Sequence, residues 1–216
     1  MSEHSLRITE IFYSLQGETT TAGLPTVFVR LTGCPLRCGY CDTEYAFYGG
    51  EKRTLEAILS EVAGHAAHYV TVTGGEPLAQ PNCLPLLSAL CDRGYRVSLE
   101  TSGALPITEV DSRVHIILDI KTPGSGEVSK NHWGNIPVLT AKDEIKFVLC
   151  DRGDYDWARM TIDRYRLADI GAELLFSPSQ GQLQARQLAD WVLEDKLPVR
   201  MQLQLHKYLW GDEQGR

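Results

Sequence analysis

Three cysteines, Cys34, Cys38 and Cys41, lie together in the segment CPLRCGYC, and no fourth cysteine is nearby. Their C-x3-C-x2-C spacing places three sulfur ligands on one short loop. A closed structural zinc site takes four protein ligands, whereas a 4Fe-4S cluster held by three cysteines keeps one iron open to a small molecule. The spacing therefore favours an iron–sulfur cluster that takes part in chemistry.

A zinc knuckle is the alternative interpretation of this segment, with His65 or His68 as the fourth ligand. The two histidines lack the paired ligand spacing of zinc modules, so we favour the cluster. We interpret the other cysteines as small hydrophobic residues: Cys83 and Cys91 on an expected helix, and Cys150 at the end of an expected strand.

A glycine-rich turn, TGGEP, occupies residues 73–77. Two glycines at the end of a strand let a ligand approach the backbone, because no Cβ atom is in the way. Glu76 would repel a phosphate but would pair with an ammonium or sulfonium group. We expect Tyr40, next to Cys41, to lie beside the ligand of the cluster; an aromatic residue packed on the core is the alternative.

The composition is that of an ordinary globular protein with one domain over residues 1–216, with 43% hydrophobic and 23% charged residues. A net charge of −7 argues against nucleic acid as a partner, because binding its backbone requires a surplus of Lys and Arg. The sequence has no apolar stretch long enough for a membrane span, and its start, MSEHSLRITE, lacks signal-peptide features. We therefore expect a cytoplasmic protein with reduced cysteines and a small-molecule partner, and no membrane association.

Apolar, β-branched runs alternate with helix-like segments along the chain. We expect strands over residues 26–31, 69–72, 96–99, 114–118, 145–149, 173–176 and 199–205, and helices over residues 54–67, 84–92, 155–168 and 183–193. Such alternation predicts an α/β fold with a mostly parallel sheet, which we interpret as a partial, trimmed (βα)6 TIM-like barrel.

Two segments depart from this alternation. Residues 122–140 are rich in Gly, Pro, Ser and Asn without an apolar period, which predicts an irregular connection in place of a helix. Residues 8–13 predict an extra short strand before the barrel, followed by the polar loop 14–23.

Polar motifs follow six of the expected strands. They are TGCPLRCGYC, TGGEP, ETSG, DIKTP, SPSQG and HKYL. Because the C-terminal ends of parallel strands open on one face, we expect these motifs to meet at one mouth and to form the active site there.

The segments CPLRCGYC and TGGEP together resemble the radical S-adenosylmethionine superfamily. SLQGE, FVRLTGCPLRCGYCDT, ETSG and HKYL narrow the resemblance to the 7-carboxy-7-deazaguanine synthase family over nearly the whole chain. The resemblance implies a 4Fe-4S cluster, S-adenosylmethionine and Mg2+ as cofactors. It also implies radical ring contraction of 6-carboxy-5,6,7,8-tetrahydropterin with loss of ammonia, an electron donor such as flavodoxin or ferredoxin, and a homodimer.

The same resemblance assigns roles to residues at matching positions. The cluster ligands are the three cysteines above, and Thr43 is the Mg2+ ligand. The substrate residues are Leu15, Gln16 and Gly17, in a short N-terminal extension, with Arg30 and Thr73. The S-adenosylmethionine residues are Tyr40, Gly75, Glu76, Ser102, Gly103, Asp119, Ile120, Lys121, Ser177, Pro178, Ser179 and Gln180.

This chain also departs from the family pattern. Other members read Ser-Pro-Lys where it has Asp119, Ile120 and Lys121, so Lys121 transfers best. Its first loop reads QGETTTAG where many members read QGEG, which leaves the conformation of residues 19–22 open. The tail, residues 210–216, is charged, and its role is open as well. Alternation places Phe28 and Arg30 on one strand face but does not decide whether that face is the site or the outside.

Two other functions fit part of these observations. A glycyl-radical activating protein shares the cluster and cofactor but acts on a large protein, whereas SLQGE and Arg30 favour a compact pocket for a small anionic heterocycle. A non-catalytic module in which the cysteines hold a metal and a loop binds RNA or protein is the second alternative, and the acidity of the chain disfavours RNA.

Overall fold

A computed structural model describes residues 5–211 and 213–215, and within them one nine-stranded sheet organises the chain. The strands are β1 (Ser5–Leu15), β2 (Pro25–Leu31), β3 (Glu51–Thr54), β4 (Tyr69–Gly74), β5 (Arg96–Thr101), β6 (His115–Asp119), β7 (Glu144–Leu149), β8 (Glu173–Pro178) and β9 (Arg200–Met201). The helices are α1 (Leu55–Gly64), α2 (Cys83–Asp92), α3 (Arg152–Tyr165), α4 (Ala185–Asp195) and α5 (Leu205–Trp210).

The strand order is β3-β1-β2-β4-β5-β6-β7-β8-β9, and every pair from β2 to β9 is parallel. β1 runs antiparallel to both β2 and β3. The sheet is unclosed, with β3 and β9 at its edges, so the prediction of a partial barrel of mostly parallel strands is confirmed.

The two faces of the sheet differ in polarity because successive side chains alternate between them. On β2, Val27, Val29 and Leu31 are fully buried in the apolar core that the helices cover. Phe28 and Arg30 lie on the opposite face, where their partners across the parallel pair with β4 are Thr71 and Thr73. The structure thus decides what alternation left open: Arg30 belongs to the polar, concave face.

The four predicted helices are present, and their ends follow local chemistry. The Thr54 hydroxyl accepts a hydrogen bond from the Ala57 amide and caps α1. α3 begins three residues before the predicted position because Asp151 caps it by accepting a bond from the Asp154 amide. It ends at Tyr165, and a short 3-10 turn, Leu167–Ile170, leads to Gly171.

The prediction of an irregular segment over residues 122–140 is confirmed. The described chain there forms three short 3-10 helices, Pro123–Ser125, Val128–Lys130 and Trp133–Val138. The Trp133 ring stacks on Tyr165 of α3 with centroids 4.2 Å apart, so this connection still packs against the helix layer.

Three strand predictions need correction. The strand expected over residues 199–205 covers only Arg200–Met201, since Gln202 turns its side chain toward Ser177 and the Thr19 amide, and Leu205 begins α5. The HKYL motif therefore lies on a helix. β1 is longer than the expected short strand, and β3 was not expected because its residues, EKRT, are polar and form a strand by pairing with β1.

No helix in the described ranges is both long and apolar enough to cross a bilayer. All six cysteines are unpaired. Cys83 is fully buried in the core, as predicted, and Cys91 packs against the core, but Cys150 is half-buried and lies outside the core cluster.

Candidate active site

A cavity of about 690 Å³ opens at the C-terminal ends of the parallel strands. All six polar motifs predicted to converge contribute residues to its wall. The predicted site residues in that wall are Leu15, Gln16, Gly17, Arg30, Cys34, Cys38, Tyr40, Cys41, Thr43, Thr73, Gly75, Ser102, Asp119, Lys121, Ser179 and Gln180.

The cysteine loop is held in place through its backbone. The Gly33 amide donates to the Ala46 carbonyl at 2.8 Å, and the Gly39 amide donates to the Ser125 carbonyl at 3.0 Å. Burial raises the pKa of all three thiols, to about 11 for Cys38. Because thiolates are the ligands of iron, loading a metal here must displace three protons.

The donor set of the loop fits a cluster held by three cysteines. The thiols are partly buried, share one loop and face a cavity large enough for a second ligand. Within the described ranges, no three His, Cys, Asp or Glu side chains are grouped so as to hold a single metal ion. His65 and His68 precede β4, at the strand end remote from the cavity, so the zinc-knuckle alternative lacks its fourth ligand.

Several buried polar atoms have no hydrogen-bond partner, which indicates where ligands would bind. They include the Tyr40 hydroxyl, Asp119 Oδ1 and Glu18 Oε1, all from residues in the cavity wall. Burial, with Asp119 nearby, raises the pKa of Tyr40, so its hydroxyl stays protonated. Since unpaired buried polar groups are costly, a bound ligand that completes these bonds would be stabilised.

The glycine turn packs tightly against the cysteine loop. A Cβ atom on Gly75 would overlap the Gly33 carbonyl and would lie 2.8 Å from Cys34 Cβ. A Cβ atom on Gly74 would overlap the Leu31 carbonyl. The glycines here therefore allow two loops to approach each other, in addition to any approach by a ligand.

Glu76 lies behind this turn, fully buried and outside the cavity wall. Its carboxylate accepts bonds from the Ser102 amide at 2.7 Å, the Ser102 hydroxyl at 2.6 Å and the Thr101 hydroxyl at 2.9 Å. In this arrangement Glu76 fastens the end of β5 to the end of β4, and it positions Ser102.

Four other residues assigned to S-adenosylmethionine also lie outside the cavity wall. Ile120 is 2% exposed and belongs to the apolar core. Ser177 and Pro178 end β8, and the Ser177 hydroxyl accepts a bond from Gln202. Gly103 has a φ of 70° and its carbonyl accepts from the His132 amide. The structure brings their neighbours Lys121, Ser179 and Ser102 to the cavity instead.

Two buried lysine–carboxylate pairs form the floor of the cavity. Lys121 Nζ lies 2.9 Å from Asp119 Oδ2, and Lys146 pairs with Glu18. Burial alone would lower the pKa of each lysine, but the adjacent carboxylates outweigh it and raise the pKa. Both ammonium groups therefore stay charged.

The first loop crosses the concave face of the sheet. Gln16 donates to Glu100 and to the Thr71 hydroxyl, and Thr20 binds Glu144 through its amide and hydroxyl. Thr19 adopts a φ of 70° and its amide donates to Gln202. The longer loop of this chain is thus anchored inside the barrel.

Arg30 and Thr43 lie on one side of the cavity. Arg30 Nε donates to Glu10 at 2.7 Å, and its terminal nitrogens donate no hydrogen bond among the described residues. The Thr43 hydroxyl donates to Asp42 Oδ1 at 2.9 Å.

The C-terminal helix covers the other side. The Leu205 amide donates to the Gly17 carbonyl at 2.8 Å, which brings His206 and Lys207 into the cavity wall. Burial lowers the pKa of His206, so the ring is neutral at pH 7. Asp212 and Arg216 of the tail lie outside the described residues.

The cavity wall also holds residues that were not predicted, among them Glu18, Glu100, Lys146 and His206. Glu18, Glu100 and His206 stand in the motifs SLQGE, ETSG and HKYL, so the motifs indicated the place without the residues. Lys146 carried a signal of its own, since it is a charged residue in an otherwise apolar strand, IKFVL. Burial, with Glu18 nearby, raises the pKa of Glu100.

Known proteins share this sequence pattern. Residues 28–176 match the Radical SAM superfamily. The chain is 47% identical over 215 residues to the 7-carboxy-7-deazaguanine synthase of Chlorobaculum tepidum, which covers 98% of this chain and 97% of that one. It is 43% identical over 222 residues to the 7-carboxy-7-deazaguanine synthase of Koribacter versatilis, with 96% and 98% covered.

A solved structure shares the fold. The crystal structure of QueE from Escherichia coli superposes with a TM-score of 0.78, covering 94% of this chain and 95% of that one, at 22% identity. At this identity the likeness concerns the fold alone.

Proposed function

The chain belongs to the radical SAM superfamily and, within it, to the 7-carboxy-7-deazaguanine synthases, and from this premise we propose how its residues perform the reaction. The reaction contracts the ring of 6-carboxy-5,6,7,8-tetrahydropterin to 7-carboxy-7-deazaguanine and releases ammonia. The observation that carries the proposal is that the cysteine loop, Arg30 and Gln16 face one cavity.

The cofactor half of the cavity is built around the cysteine loop. Cys34, Cys38 and Cys41 would hold the 4Fe-4S cluster. When bound, the cluster and S-adenosylmethionine would supply the electron and the radical chemistry that remove a hydrogen atom from the substrate. The Tyr40 hydroxyl and Asp119 Oδ1, which lack hydrogen-bond partners, would bind the cofactor.

Further contacts to the cofactor come from the neighbouring loops. Gly75, Ser102, Lys121, Ser179 and Gln180 line the same cavity as the cysteine loop. Glu76, Gly103, Ile120, Ser177 and Pro178 would act through the backbone and by positioning these neighbours, because they lie behind the wall.

The substrate would contact Arg30, Gln16 and Thr73, with Leu15 and Gly17, all of which line the cavity. A planar guanidinium suits a carboxylate, and an amide suits the alternating donors and acceptors of a pterin edge. Gln16 and Thr73 both donate to Glu100, so the three polar groups form one surface for the heterocycle.

The charge balance of the cavity supports Mg2+ as a third component. Every Lys or Arg in the wall is paired with a carboxylate: Arg30 with Glu10, Lys121 with Asp119, Lys146 with Glu18, and Lys207 with Asp42. An anionic substrate therefore meets no surplus positive charge from these side chains. A divalent cation at Thr43 would supply it, with water as its remaining ligands.

We also propose a cytoplasmic homodimer with one domain over residues 1–216, served by an electron donor such as flavodoxin or ferredoxin. Support comes from the reduced cysteines and from the family. Size-exclusion chromatography with light scattering tests the dimer, and a mass near 24.1 kDa, that of one chain, contradicts it.

The decisive experiment is an anaerobic assay with dithionite, S-adenosylmethionine, Mg2+ and 6-carboxytetrahydropterin, followed by mass analysis of the products. We expect 7-carboxy-7-deazaguanine and ammonia. Release of 5'-deoxyadenosine without a deazapurine, under conditions in which substrate binds, would contradict the assignment. Arg30→Ala should weaken substrate binding far more than cofactor binding, and equal loss of both rejects the role of Arg30.

A further inference from the structure

Arg30 is held from behind by two residues that do not line the cavity. Glu10 Oε1 accepts a hydrogen bond from Arg30 Nε at 2.7 Å and another from the Tyr45 hydroxyl at 2.8 Å. The rings of Phe12 and Tyr45 lie 5.8 and 5.9 Å from the guanidinium carbon. The side chains of Arg30 and Glu10 are 16% and 20% exposed, so the pair is largely shielded from solvent.

We propose that Glu10 and Tyr45 are positioning residues, which fix the guanidinium of Arg30 in the orientation that binds the carboxylate of the substrate. This inference rests on the proposed function, because it takes Arg30 as the carboxylate ligand. It assigns a role to two residues that touch neither substrate nor cofactor.

An irregularity in β1 brings Glu10 opposite Arg30. Ile8 pairs with Leu31, and regular antiparallel pairing would then place Thr9 opposite Arg30. The register shifts between Ile8 and Glu10, so Glu10 takes that position. Bulges of this kind redirect a side chain, and here the shift turns a carboxylate toward the concave face of the sheet.

The contact geometry keeps one edge of the guanidinium available. Glu10 accepts from Nε, and among the described residues the two terminal nitrogens donate no hydrogen bond. Those nitrogens can donate two parallel hydrogen bonds to a carboxylate. Because Glu10 also neutralises much of the charge of Arg30, its benefit to the substrate is orientation and not attraction.

Tyr45 connects this arrangement to the cysteine loop. It stands two residues after Thr43, at the centre of the short helix Glu44–Ala46. Its hydroxyl donates to Glu10 Oε1 at 2.8 Å. The segment that follows the cysteines and the strand that carries Arg30 are thereby held together by one carboxylate.

The test uses two ligands that differ only in the carboxylate, 6-carboxypterin and pterin, with calorimetric Kd values for the cluster-loaded protein. The variants are Glu10→Ala, Glu10→Gln and Tyr45→Phe. Glu173→Gln is the matched control, because Glu173 accepts a bond from Arg200 Nε at 2.8 Å across neighbouring strands away from the cavity. Steady-state KM and kcat with 6-carboxytetrahydropterin accompany the binding data.

We expect Glu10→Ala to raise the Kd of 6-carboxypterin on the order of tenfold and to leave the Kd of pterin unchanged, because misplacing one ligating group has effects of this size. Glu10→Gln keeps a hydrogen-bond acceptor for Arg30, so this variant should retain most of the affinity for 6-carboxypterin that Glu10→Ala loses. KM should rise while kcat stays near wild type, since a contact that is equal in the ground and transition states changes KM alone. Tyr45→Phe should give a smaller effect that disappears in the Glu10→Ala background, because Tyr45 acts through Glu10.

Equal weakening of both ligands, or a fall in kcat without a change in KM, indicates a general structural role and overturns the inference. Unchanged carboxypterin affinity in Glu10→Ala overturns it as well. If the wild-type protein binds no 6-carboxypterin and makes no deazapurine, the proposed function itself fails. If Glu10→Ala does not fold, the Kd values of 6-carboxypterin and pterin are compared in Glu10→Gln and Tyr45→Phe instead.

Discussion

Lys207 of the C-terminal helix pairs with Asp42, the residue directly after the third cysteine, with Nζ and Oδ2 3.3 Å apart. On the opposite side, the Leu205 amide of the same helix bonds the Gly17 carbonyl. The helix is therefore fixed at both sides of the cavity mouth, between the cysteine loop and the first loop. Closure of the site depends on contacts between residues far apart in sequence.

Loosening this contact should reduce the coupling between cofactor cleavage and product formation. Asp42→Asn removes an ion pair that is partly exposed, with a free energy of about 1 kcal/mol, or about fivefold in affinity. We expect a KM for the substrate raised about fivefold and a higher ratio of 5'-deoxyadenosine to deazapurine. Lys207→Gln should give the same ratio of 5'-deoxyadenosine to deazapurine as Asp42→Asn. If the effects of the two substitutions add in the double variant, the two residues act separately, which would contradict this prediction.

Gly17 should be intolerant of a side chain. A Cβ atom at this position would overlap Nδ1 of His206 and would lie 2.8 Å from its Cγ. Gly17→Ala should therefore displace His206 and lower product formation at least tenfold, with iron content unchanged. The double variant Gly17→Ala with His206→Ala relieves the overlap, so partial recovery of substrate binding is the expected control; no recovery would point to another cause.

Each cysteine of the loop should be required for activity but not for folding. The three side chains are partly buried on a loop outside the apolar core. Replacing any of Cys34, Cys38 or Cys41 by Ala should abolish turnover and the brown colour of the anaerobic protein, with an unchanged far-ultraviolet circular dichroism spectrum. Cys91→Ala is the control and should retain iron. Unfolding of the loop variants would indicate a structural metal.

Glu100 and Glu144 should affect stability with opposite signs. Burial raises the pKa of Glu100, so its charged form is unfavourable, and Glu100→Gln should stabilise the protein at pH 7 by about 1 kcal/mol. This gain should vanish as the pH falls below the ordinary value of 4.5.

Glu144 is the counterpart. Burial alone would raise the pKa of its carboxyl, but hydrogen bonds from His115 and Thr20 outweigh burial and lower it. Glu144→Gln should destabilise at pH 7, and the loss should shrink as the pH falls through the lowered pKa. Thermal unfolding of the apo-protein from pH 3 to 8 measures both, and a shared sign would contradict the assignment of their environments.

Removing Mg2+ should weaken binding of the substrate and leave binding of S-adenosylmethionine unchanged. Because each cation of the wall is already paired, the substrate carboxylate depends on added positive charge. Chelation should raise the KM of the substrate at least tenfold and leave the Kd of S-adenosylmethionine unchanged. Thr43→Ala should raise the Mg2+ concentration needed for half-activity, and an Mg2+-independent KM would reject this site.

Local chemistry made much of this protein predictable from its sequence. The C-x3-C-x2-C spacing and TGGEP predicted cofactor loops because their residues are close in the chain. Alternating apolar runs predicted the parallel strands, and the Thr54 cap predicted the start of α1, since a strand or helix end depends on neighbouring residues. The expected convergence of six motifs followed from the geometry of parallel strands.

Contacts between distant residues were decided only by the tertiary structure. β3 forms because it pairs with β1, and HKYL is helical where it packs on the first loop. Local sequence propensity predicted neither element. Glu10, Glu18 and Lys146 have partners that are distant in the sequence, and Ile120, one residue past the end of β6, packs into the core. Sequence thus determined which groups are available for the chemistry, while long-range packing and charge pairing determined which of them face the cavity, because those energies depend on neighbours that the chain brings together only on folding.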